Sequence, residues 1–268
     1  MSPLLLGYGD LAIAAVLVVA NAILSWLLNL GLGRTMLVAA VRAVVQLLLV
    51  GLVLRTVFAL ASPLLVGAVA LAMFAMASYE IASRQERRFA GVWGYGIGAG
   101  TTMLATLLVT AFGLAGALRP DPWYAPQVVI PLIGIILGNV MNGVSVSLNA
   151  LNTAIVRERP AIEARLALGA DRHAALQPLL RGALRTALIP IINQMSAAGV
   201  ITLPGMMTGQ ILAGMEPVEA AKYQILILFL LGGGAGLGAL AAAYGAVWRI
   251  TDERHRLRLD RLAQRKGS

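Results

Sequence analysis

The sequence predicts an all-α, polytopic integral membrane protein, a bundle of about seven transmembrane helices. Hydrophobic residues make up 59% of the 268 residues and charged residues only 12%, about half of the roughly 25% that a soluble domain carries. The apolar residues also come in runs of about 20, the length that an α-helix needs to cross the hydrocarbon core of a membrane. This composition excludes an ordinary soluble globule and a disordered chain.

Seven apolar runs follow one another along the chain, and each predicts one membrane span. Pro and Gly clusters interrupt the region between the last two runs, so part of the segment 203–217 is either spanning or re-entrant. The expected spans are residues 10–31, 36–58, 62–82, 92–116, 127–154, 184–206 and 218–248.

Basic residues are distributed unevenly between the two sides of these spans. With the N-terminus outside, the outer side holds only Arg55, Arg119 and Lys222, and Arg42 lies within a span. Because Lys and Arg collect on the cytoplasmic side, the N-terminus is expected outside and the C-terminus in the cytoplasm. The inner side then holds Arg34, Arg84, Arg87, Arg88, Arg157, Arg159, Arg165, Arg172, Arg181, Arg185, Arg249, Arg254, Arg256, Arg258, Arg261, Arg265 and Lys266.

The loops leave no room for a second folded domain, so residues 1–268 are expected to form a single transmembrane domain. The cytoplasmic loop at about 157–183 is the longest, and the basic tail 249–268 is expected to lie along anionic lipid headgroups. The net charge of +9 therefore indicates a membrane surface rather than nucleic acid as the partner.

This chain lacks the residues that several classes of enzyme require. Lys222 precedes Tyr223 and Lys266 precedes Gly267, so the chain has no P-loop lysine. Both histidines fall in cytoplasmic segments and all five aspartates lie at or outside span ends, which excludes an intramembrane serine or aspartyl protease. No carboxylate occupies a span centre, which disfavours a proton-coupled carrier. The chain is therefore not expected to be an enzyme.

Arg42 and Gln46 are four residues apart on the second span and share one helix face. A buried Arg in lipid is costly unless it reaches a cavity, a partner or the interface. Three interpretations stay open for Arg42: it extends to the inner interface, it pairs with Glu80 or with backbone carbonyls, or it lines a translocation path.

The fifth span carries a stripe of polar residues at steps of 3, 3 and 4, namely Asn139, Asn142, Ser145 and Asn149. A single Asn in a membrane helix usually bonds to a neighbouring helix, whereas four on one face indicate a wetted surface that lines a path. Asn193 and Gln194 in the sixth span are weaker candidates for the same path.

Small and sulfur-containing residues mark the last two spans. Gly232 with Gly236 and Gly234 with Gly238 form two overlapping GxxxG pairs, which favour close packing within the chain over a contact between subunits.

A methionine cluster also lies near the outer end of the sixth span. Methionines more often pack adaptably than bind a soft metal such as Cu(I), so no metal site is assigned within the chain. The cluster comprises Met195, Met206, Met207 and Met215.

The long inner loop contains AIEARLALGADRHAALQPLL, which begins at Ala161. Ile162 and Leu166 share one face of a short helix, with Ala164 and Leu168 nearby. Gly169 can end this helix in a left-handed cap, and Asp171 can cap the next one. The pattern predicts a short helix, a tight break and a second helix across the cytoplasmic face. A short helix with an apolar edge is expected only where that edge packs on something, and the alternative is an amphipathic helix that lies on the membrane surface.

The stretch Glu163-Ala164-Arg165 … Gly169 resembles the EAA loop of ABC-transporter permeases, with Arg165 in place of the second Ala. Four further blocks together resemble the FetB-type permease family of iron exporters, whose plant relatives are implicated in aluminium tolerance. The resemblance runs from about residue 35 to 248. The blocks are RAVVQL (Arg42 to Leu47), VIPLIGIILGN (Val129 to Asn139), LPGMMTG (Leu203 to Gly209) and AGMEPVEAAKYQ (Ala213 to Gln224).

This resemblance implies the homodimeric membrane half of an ABC exporter of the plasma (bacterial inner) membrane. ATP and Mg would bind a separate cytosolic P-loop ATPase, leaving this chain without a cofactor, and the cargo would be a metal cation such as iron. The spans offer no buried carboxylates or histidines as hard-cation ligands, so a complexed metal is an alternative cargo. Alternative functions are an ATP-independent channel or secondary carrier, and a non-transporting mechanotransmission module.

The resemblance and the polar patterns together assign three sets of candidate residues. The coupling set, expected to dock on the ATPase, comprises Glu163, Ala164, Arg165, Leu168, Gly169, Ala170 and Asp171. The path set comprises Arg42, Gln46, Asn139, Asn142, Ser145, Asn149, Asn193 and Gln194. The family-motif turn comprises Leu203, Pro204, Gly205, Met206, Met207 and Gly209.

Overall fold

The computed structural model describes residues 7–85 and 87–264, and most of them are helical. Its elements, in chain order, are α1 (Tyr8–Leu27), α2 (Gly33–Leu60), α3 (Pro63–Arg84), β1 (Arg87–Phe89), α4 (Trp93–Gly113, extended by a π-helical turn, Leu114–Leu118), α5 (Pro126–Arg157), α6 (Arg159–Ala167), α7 (Arg172–Ala197), α8 (Gly205–Leu212), α9 (Pro217–Ile250), a 3₁₀ turn (Leu259–Arg261) and β2 (Leu262–Gln264).

Six helices in the described part of the chain are long and apolar enough to cross a membrane, namely α1, α2, α3, α4 with its π-helical turn, α5 and α9. The expected all-α polytopic class is confirmed. The N-terminal orientation stays a prediction.

The sixth expected span, residues 184–206, has different boundaries in the structure. α7 begins twelve residues earlier, at Arg172, because Asp171 caps it there, and it ends at Ala197. α7 carries Arg181 and Arg185 and is not one of the six apolar helices. After it the chain turns through Gly199, whose φ is +83°. The following α8 has eight residues, a length of about 12 Å, which is too short to cross a bilayer.

The described residues form two compact units, one ending at Ser62 and one beginning at Pro63. In the first unit, α1 and α2 form a hairpin. The Leu32 backbone N–H donates to Ser25 Oγ at 3.1 Å, and a Cβ at Gly33 would lie 2.8 Å from the Ala22 carbonyl oxygen. Gly33 therefore permits the close approach of the two helices. The single domain expected for residues 1–268 stays a prediction.

The core of the second unit lies where α5 packs against α9, α4 and α7. A Cβ at Gly238 would lie 2.6 Å from Val140 Cγ1, and one at Gly234 would lie 3.0 Å from Val140 Cγ2. The Gly234/Gly238 pair therefore packs within the chain, as expected. A Cβ at Gly232 would lie 3.6 Å from Met195 Sδ, whereas one at Gly236 would meet no described atom within 4 Å.

Three segments meet at one end of the second unit. β1, in the loop after α3, pairs antiparallel with β2 in the tail. Asn152 Nδ2 on α5 donates to the Arg87 carbonyl oxygen at 3.0 Å, and the Arg172 backbone N–H donates to His255 Nδ1 in the tail at 3.3 Å. The orientation predicted from the basic residues, which stays a prediction, would put these segments on the inner side.

The tail forms more regular structure than is expected of a segment that only lies on the membrane surface. It folds back through a bridge between Thr251 and Leu257 and then enters the two-stranded sheet. The expectation that it simply lies along headgroups is therefore incomplete for residues 251–264. Arg265 and Lys266, and the side chain of Arg84, lie outside the described residues.

Candidate functional site

The polar stripe of α5 faces a groove between α5 and α7. One cavity of about 300 Å³ is lined by Asn142, Ser145, Asn149 and Thr186. A second cavity of about 710 Å³ shares Asn149 and Thr186 with the first and continues to Thr153. Because the two cavities share residues, they adjoin, and we name them together the α5–α7 groove.

Helical spacing explains the polar lining of the groove. Asn142, Ser145, Asn149 and Thr153 follow one another at steps of 3, 4 and 4 on α5, so their side chains share one face. On α7 the small residues Gly182 and Ala183 line the opposite wall. Small side chains leave the volume unfilled, and the α5 amides and hydroxyls make its surface polar.

A second serine of α5 serves a structural role. Ser147 is fully buried and its Oγ donates to the Ala239 carbonyl oxygen on α9 at 3.4 Å. Ser145, two residues earlier, lines the groove instead. The two alternatives considered for polar residues of this span, path lining and interhelical bonding, therefore describe different residues.

Asn139 lies one turn beyond the groove. Its Nδ2 donates to the Ile135 carbonyl oxygen of its own helix at 3.0 Å, and it lines neither cavity of the groove. Asn193 and Gln194 are exposed near the C-terminal end of α7 and likewise lie outside the groove lining. Of the six path candidates in the second unit, the structure brings together Asn142, Ser145 and Asn149.

Arg42 and Gln46 lie on α2, in the first unit. Arg42 is exposed and Gln46 is half-buried. Their proposed place in a path stays a prediction, as do the three interpretations of Arg42.

The groove also contains residues that the sequence analysis missed. Thr153 continues the α5 stripe by another four residues, and Thr186 lies one turn after Gly182 on α7. Arg157 and Glu158 line the end of the larger cavity and pair with each other at 3.0 Å. Extending the four-residue step beyond Asn149 would have found Thr153. No periodic signal marks Thr186.

The helix, break and second helix expected in the long loop are confirmed as α6, Gly169 and α7. Gly169 has φ +92°, a left-handed conformation that favours glycine. Asp171 Oδ1 accepts the Ala174 backbone N–H at 2.7 Å. This hydrogen bond holds the pKa of Asp171 below its usual value, and the nearby His173 lowers it further.

The apolar edge of α6 packs on its own chain. Ile162 is fully buried and Leu166 packs on the core of the second unit. The expected packing of this edge is confirmed, and the surface that covers it is the core of the same chain, because the α6–α7 turn folds it inward. Arg165 Nη1 donates to the Ala175 carbonyl oxygen at 3.0 Å and ties α6 to the first turn of α7.

The opposite side of α6 is solvent-accessible and forms what we name the coupling face, composed of Glu163, Ala164, Ala167 and Leu168. Leu168 is 89% exposed. Glu163 is paired with Arg159 at 2.8 Å on the rim of this face. Gly169 and Asp171 follow directly and are exposed, whereas Ala170 is half-buried. An exposed leucine between small residues is a surface that a partner protein can cover.

The family-motif turn forms the start of α8. Pro204 precedes the helix and accepts the Thr208 hydroxyl at 3.2 Å through its carbonyl oxygen. Leu203, Gly205 and Gly209 are exposed, and Met207 is half-buried. Met206 packs on the hydrophobic core. This placement favours packing over metal binding for Met206.

Within residues 7–85 and 87–264, no group of three or more His, Asp and Glu side chains is close enough to hold a metal ion. The polar atoms that the α5–α7 groove offers are chiefly amide and hydroxyl groups, with Arg157 and Glu158 at its end.

Comparison with known proteins identifies the family. A family model described as an uncharacterised protein family (UPF0014) matches residues 8–250. The chain belongs to the UPF0014 family. A UPF0014 membrane protein of Synechocystis sp. is 39% identical over 215 residues, 79% of this chain and 81% of the relative.

Two further relatives carry functional names. The probable iron export permease protein FetB of Escherichia coli is 33% identical over 260 residues, which is 96% of each chain. The protein ALUMINUM SENSITIVE 3 of Arabidopsis thaliana is 33% identical over 236 residues, 87% of this chain and 83% of the relative. No solved structure matches this UPF0014 protein. The family resemblance inferred from the sequence blocks is confirmed.

Proposed function

We propose that this UPF0014 protein is the membrane-spanning permease subunit of an ABC exporter of the plasma (bacterial inner) membrane, with an iron-like metal cation as its cargo. The observation that carries the proposal is the similarity to the probable iron export permease FetB, which extends over 96% of both chains. Two copies of the chain form the membrane half, and a separate cytosolic ATPase binds ATP and Mg²⁺.

The coupling face supplies the docking surface for this ATPase. It presents Leu168 and small neighbours to solvent. α6 is fixed to α7 in two ways, by the buried Ile162 and by the hydrogen bond from Arg165 to the Ala175 carbonyl oxygen. A displacement of α6 by the ATPase therefore moves the start of α7 with it.

α7 is also the wall of the α5–α7 groove, so its displacement changes the groove. Pro178 and Pro190 lie inside α7, and proline removes a backbone hydrogen bond and allows a helix to bend. Movement at the start of α7 can thus widen or close the groove beside Asn149 and Thr186. Alternating access requires that nucleotide binding to the ATPase favours one of these arrangements over the other.

The groups that line the groove are suited to bind a hard metal cation weakly. Carbonyl and hydroxyl oxygens are ligands that hard cations accept, and Asn142, Ser145, Asn149 and Thr186 supply them. Neutral ligands bind a cation less tightly than carboxylates would, which permits release. A metal carried as a complex would use the same groups as hydrogen-bond partners.

The experiment tests the coupling face with the intact pair. The chain is co-expressed with a candidate P-loop ATPase from the same genome, and ATP hydrolysis and iron efflux are measured in vesicles. Leu168→Asp is expected to lower both activities at least about tenfold, because a charge disrupts an apolar contact. Gly169→Trp is expected to lower them as well, because it adds a bulky ring and strains a backbone whose φ of +92° favours glycine.

The matched control is Gln177→Asp, since Gln177 is exposed on α7 outside the coupling face and the groove lining, and this variant is expected to leave both activities unchanged. If hydrolysis and efflux survive Gly169→Trp, the coupling assignment is wrong. If efflux proceeds without any ATPase, the chain is a channel or secondary carrier instead.

A further inference from the structure

A cavity of about 580 Å³ lies where α9 ends and the tail begins. Five arginines line it, Arg172 from the start of α7, Arg249 from the last turn of α9, and Arg254, Arg256 and Arg261 from the tail. We name this cavity the tail pocket. It lies entirely within the second unit and shares no residue with the α5–α7 groove.

The carboxylates of the tail pocket neutralise only part of its positive charge, and Asp252 pairs with Arg256 at 2.8 Å. Asp252 is held by its own loop, because its side chain accepts the backbone N–H groups of Arg254 and Arg256 and the Arg256 Nε, at 2.8 to 3.0 Å. The backbone hydrogen bond from Arg256 is the main cause that lowers the pKa of Asp252. Glu253 is exposed. Five arginines and two carboxylates leave a formal charge of +3.

Two guanidinium groups of the pocket have donors without an acceptor. Arg172 Nε and Arg249 Nε are buried and have no hydrogen-bond partner among the described residues. A buried, charged donor that lacks an acceptor is costly. Phosphate oxygens match the fork of donors that a guanidinium presents, so an anion with several oxygens in the pocket would offer acceptors to the arginines that line it.

Aromatic side chains place the pocket at the membrane surface. The Arg249 guanidinium lies 4.8 Å from the ring centroid of Trp93, and Trp93 stacks on Trp248 at 6.0 Å. Trp93 is 42% exposed, Trp248 is 57% exposed, and Tyr244 is exposed one turn earlier on α9. Trp and Tyr accumulate at the level of lipid headgroups, and α9, which is long and apolar enough to span a membrane, ends at Ile250.

We propose that the tail pocket binds the phosphate of an anionic phospholipid, phosphatidylglycerol or cardiolipin, at the end of α9. The acyl chains lie along the exposed faces of Trp93 and Trp248, and the arginines enclose the headgroup. Basic pockets between helices at the cytoplasmic surface bind such headgroups. Exposed tryptophans beside the arginines favour a lipid over an acidic peptide or a soluble anion, since only a lipid covers both surfaces.

The bound lipid joins three parts of the chain that are distant in sequence. Arg172 opens α7, Arg249 closes α9, and Arg261 donates from the tail to the carbonyl oxygens of Arg249 and Thr251, at 2.7 and 3.3 Å. The lipid therefore holds the folded tail against the start of α7. This inference goes beyond the proposed transport function and does not depend on it.

The test uses the full chain in nanodiscs of phosphatidylcholine with a photoreactive phosphatidylglycerol analogue. We expect crosslinks within residues 244–261, at Trp93 or at Arg172, which unlabelled phosphatidylglycerol or cardiolipin removes and phosphatidylcholine does not. Titration of detergent-solubilised protein, followed by native mass spectrometry, gives the affinities. Arg172→Gln and Arg249→Gln are each expected to weaken phosphatidylglycerol binding about fivefold, the effect of one surface cation.

Arg181→Gln is the matched control, since Arg181 is an exposed arginine of α7 outside the pocket lining, and it is expected to leave the affinity unchanged. Crosslinks elsewhere, or equal retention of phosphatidylglycerol and phosphatidylcholine, would overturn the proposal. Removal of the crosslink by inorganic phosphate would also overturn it and identify a soluble phosphate as the ligand. The crosslink is read on the unaltered protein, so it decides even if an arginine variant fails to fold.

Discussion

The two sides of α5 differ in how closely the neighbouring helix approaches. On the α9 side, a Cβ at Gly143 would lie 3.2 Å from the Ala235 carbonyl oxygen, and one at Gly238 would lie 2.6 Å from Val140 Cγ1. On the α7 side, α5 is separated by the groove, whose larger cavity has a volume of about 710 Å³. α5 therefore packs tightly against α9 on one side and borders an open, polar groove on the other.

The difference shows that contact between backbones, more than polarity, distinguishes the two sides. Ser147 lies on the tight side, where its hydroxyl bonds to a backbone carbonyl of α9. Ser145 lies on the open side, among groups that line a cavity. Glycines on both helices bring α5 and α9 together, which membrane helices use for packing because lipid supplies little hydrophobic driving force.

The largest effect is expected on the tight side. Gly238→Leu would insert a side chain where even a Cβ meets Val140 at 2.6 Å, so it should destabilise the protein by roughly 1–3 kcal/mol or more. Thermal unfolding of the detergent-solubilised protein, followed by tryptophan fluorescence, measures this. Gly236→Leu is the control, because a Cβ there meets no described atom within 4 Å. Equal losses in both variants would contradict the comparison.

The open side is expected to respond in transport rather than in stability. Asn149→Leu places a branched apolar side chain where the two cavities of the groove join, and should lower iron efflux about tenfold or more, since lining polarity and width control passage. Its unfolding free energy should change by less than about 1 kcal/mol.

Asn139→Leu is the control for the groove, because Asn139 bonds to its own helix outside the cavities. Its efflux should stay within about twofold of the wild type. An unfolded Asn149→Leu protein, or a loss of efflux in both variants, would show that the stripe is structural along its whole length.

A smaller effect is expected at Ser147. The bond from Ser147 Oγ to the Ala239 carbonyl oxygen is long, 3.4 Å, and interhelical hydrogen bonds in membranes contribute about 0.6 kcal/mol on average. Ser147→Ala should therefore destabilise the protein by about that amount and leave efflux intact. Ser145→Ala is its counterpart and should leave the unfolding free energy unchanged. If Ser145→Ala were destabilising and Ser147→Ala were not, Ser145 and not Ser147 would make the stabilising contact.

Much of the fold could be predicted because local patterns determine it. Runs of about 20 apolar residues gave the six helices that satisfy the length and composition of a span, and Gly169 with Asp171 gave the break between α6 and α7. The extent of α7 could not be found this way. Its first half carries Arg172 and Arg181 and contains a proline, so hydropathy assigns it to a loop. Packing of Ala175, Leu176 and Leu179 on the core keeps it helical.

The candidate site could be predicted only in part. The spacing of Asn142, Ser145 and Asn149 placed them on one face, and the structure places that face on the groove. Asn139 has the same spacing, but the groove ends before it. Which helix covers each part of a face depends on tertiary packing. For the same reason the apolar edge of α6, Ile162 and Leu166, could not be assigned to the protein interior from sequence.

The smallest effect concerns the start of α7, the wall of the open side. Asp171→Ala removes the acceptor of the Ala174 N–H and should increase hydrogen exchange in the first turn of α7, with little change in global stability. Because the folded pKa of Asp171 is lowered, its contribution is complete above the usual Asp value of about 3.9 and is lost as the pH falls through the lower, folded pKa.

The measurement is the hydrogen-exchange rate of the Ala174 amide, divided by that of a distant core amide such as Val140. In the wild type this ratio should rise as the pH falls below about 4. It should not rise in Asp171→Asn, whose side chain does not titrate. Asparagine retains a capping oxygen, so this variant separates the charge from the hydrogen bond. If the exchange ratio of the wild type does not depend on pH, the charge of Asp171 does not contribute to the cap. A neutral acceptor would then stabilise the first turn of α7 equally well.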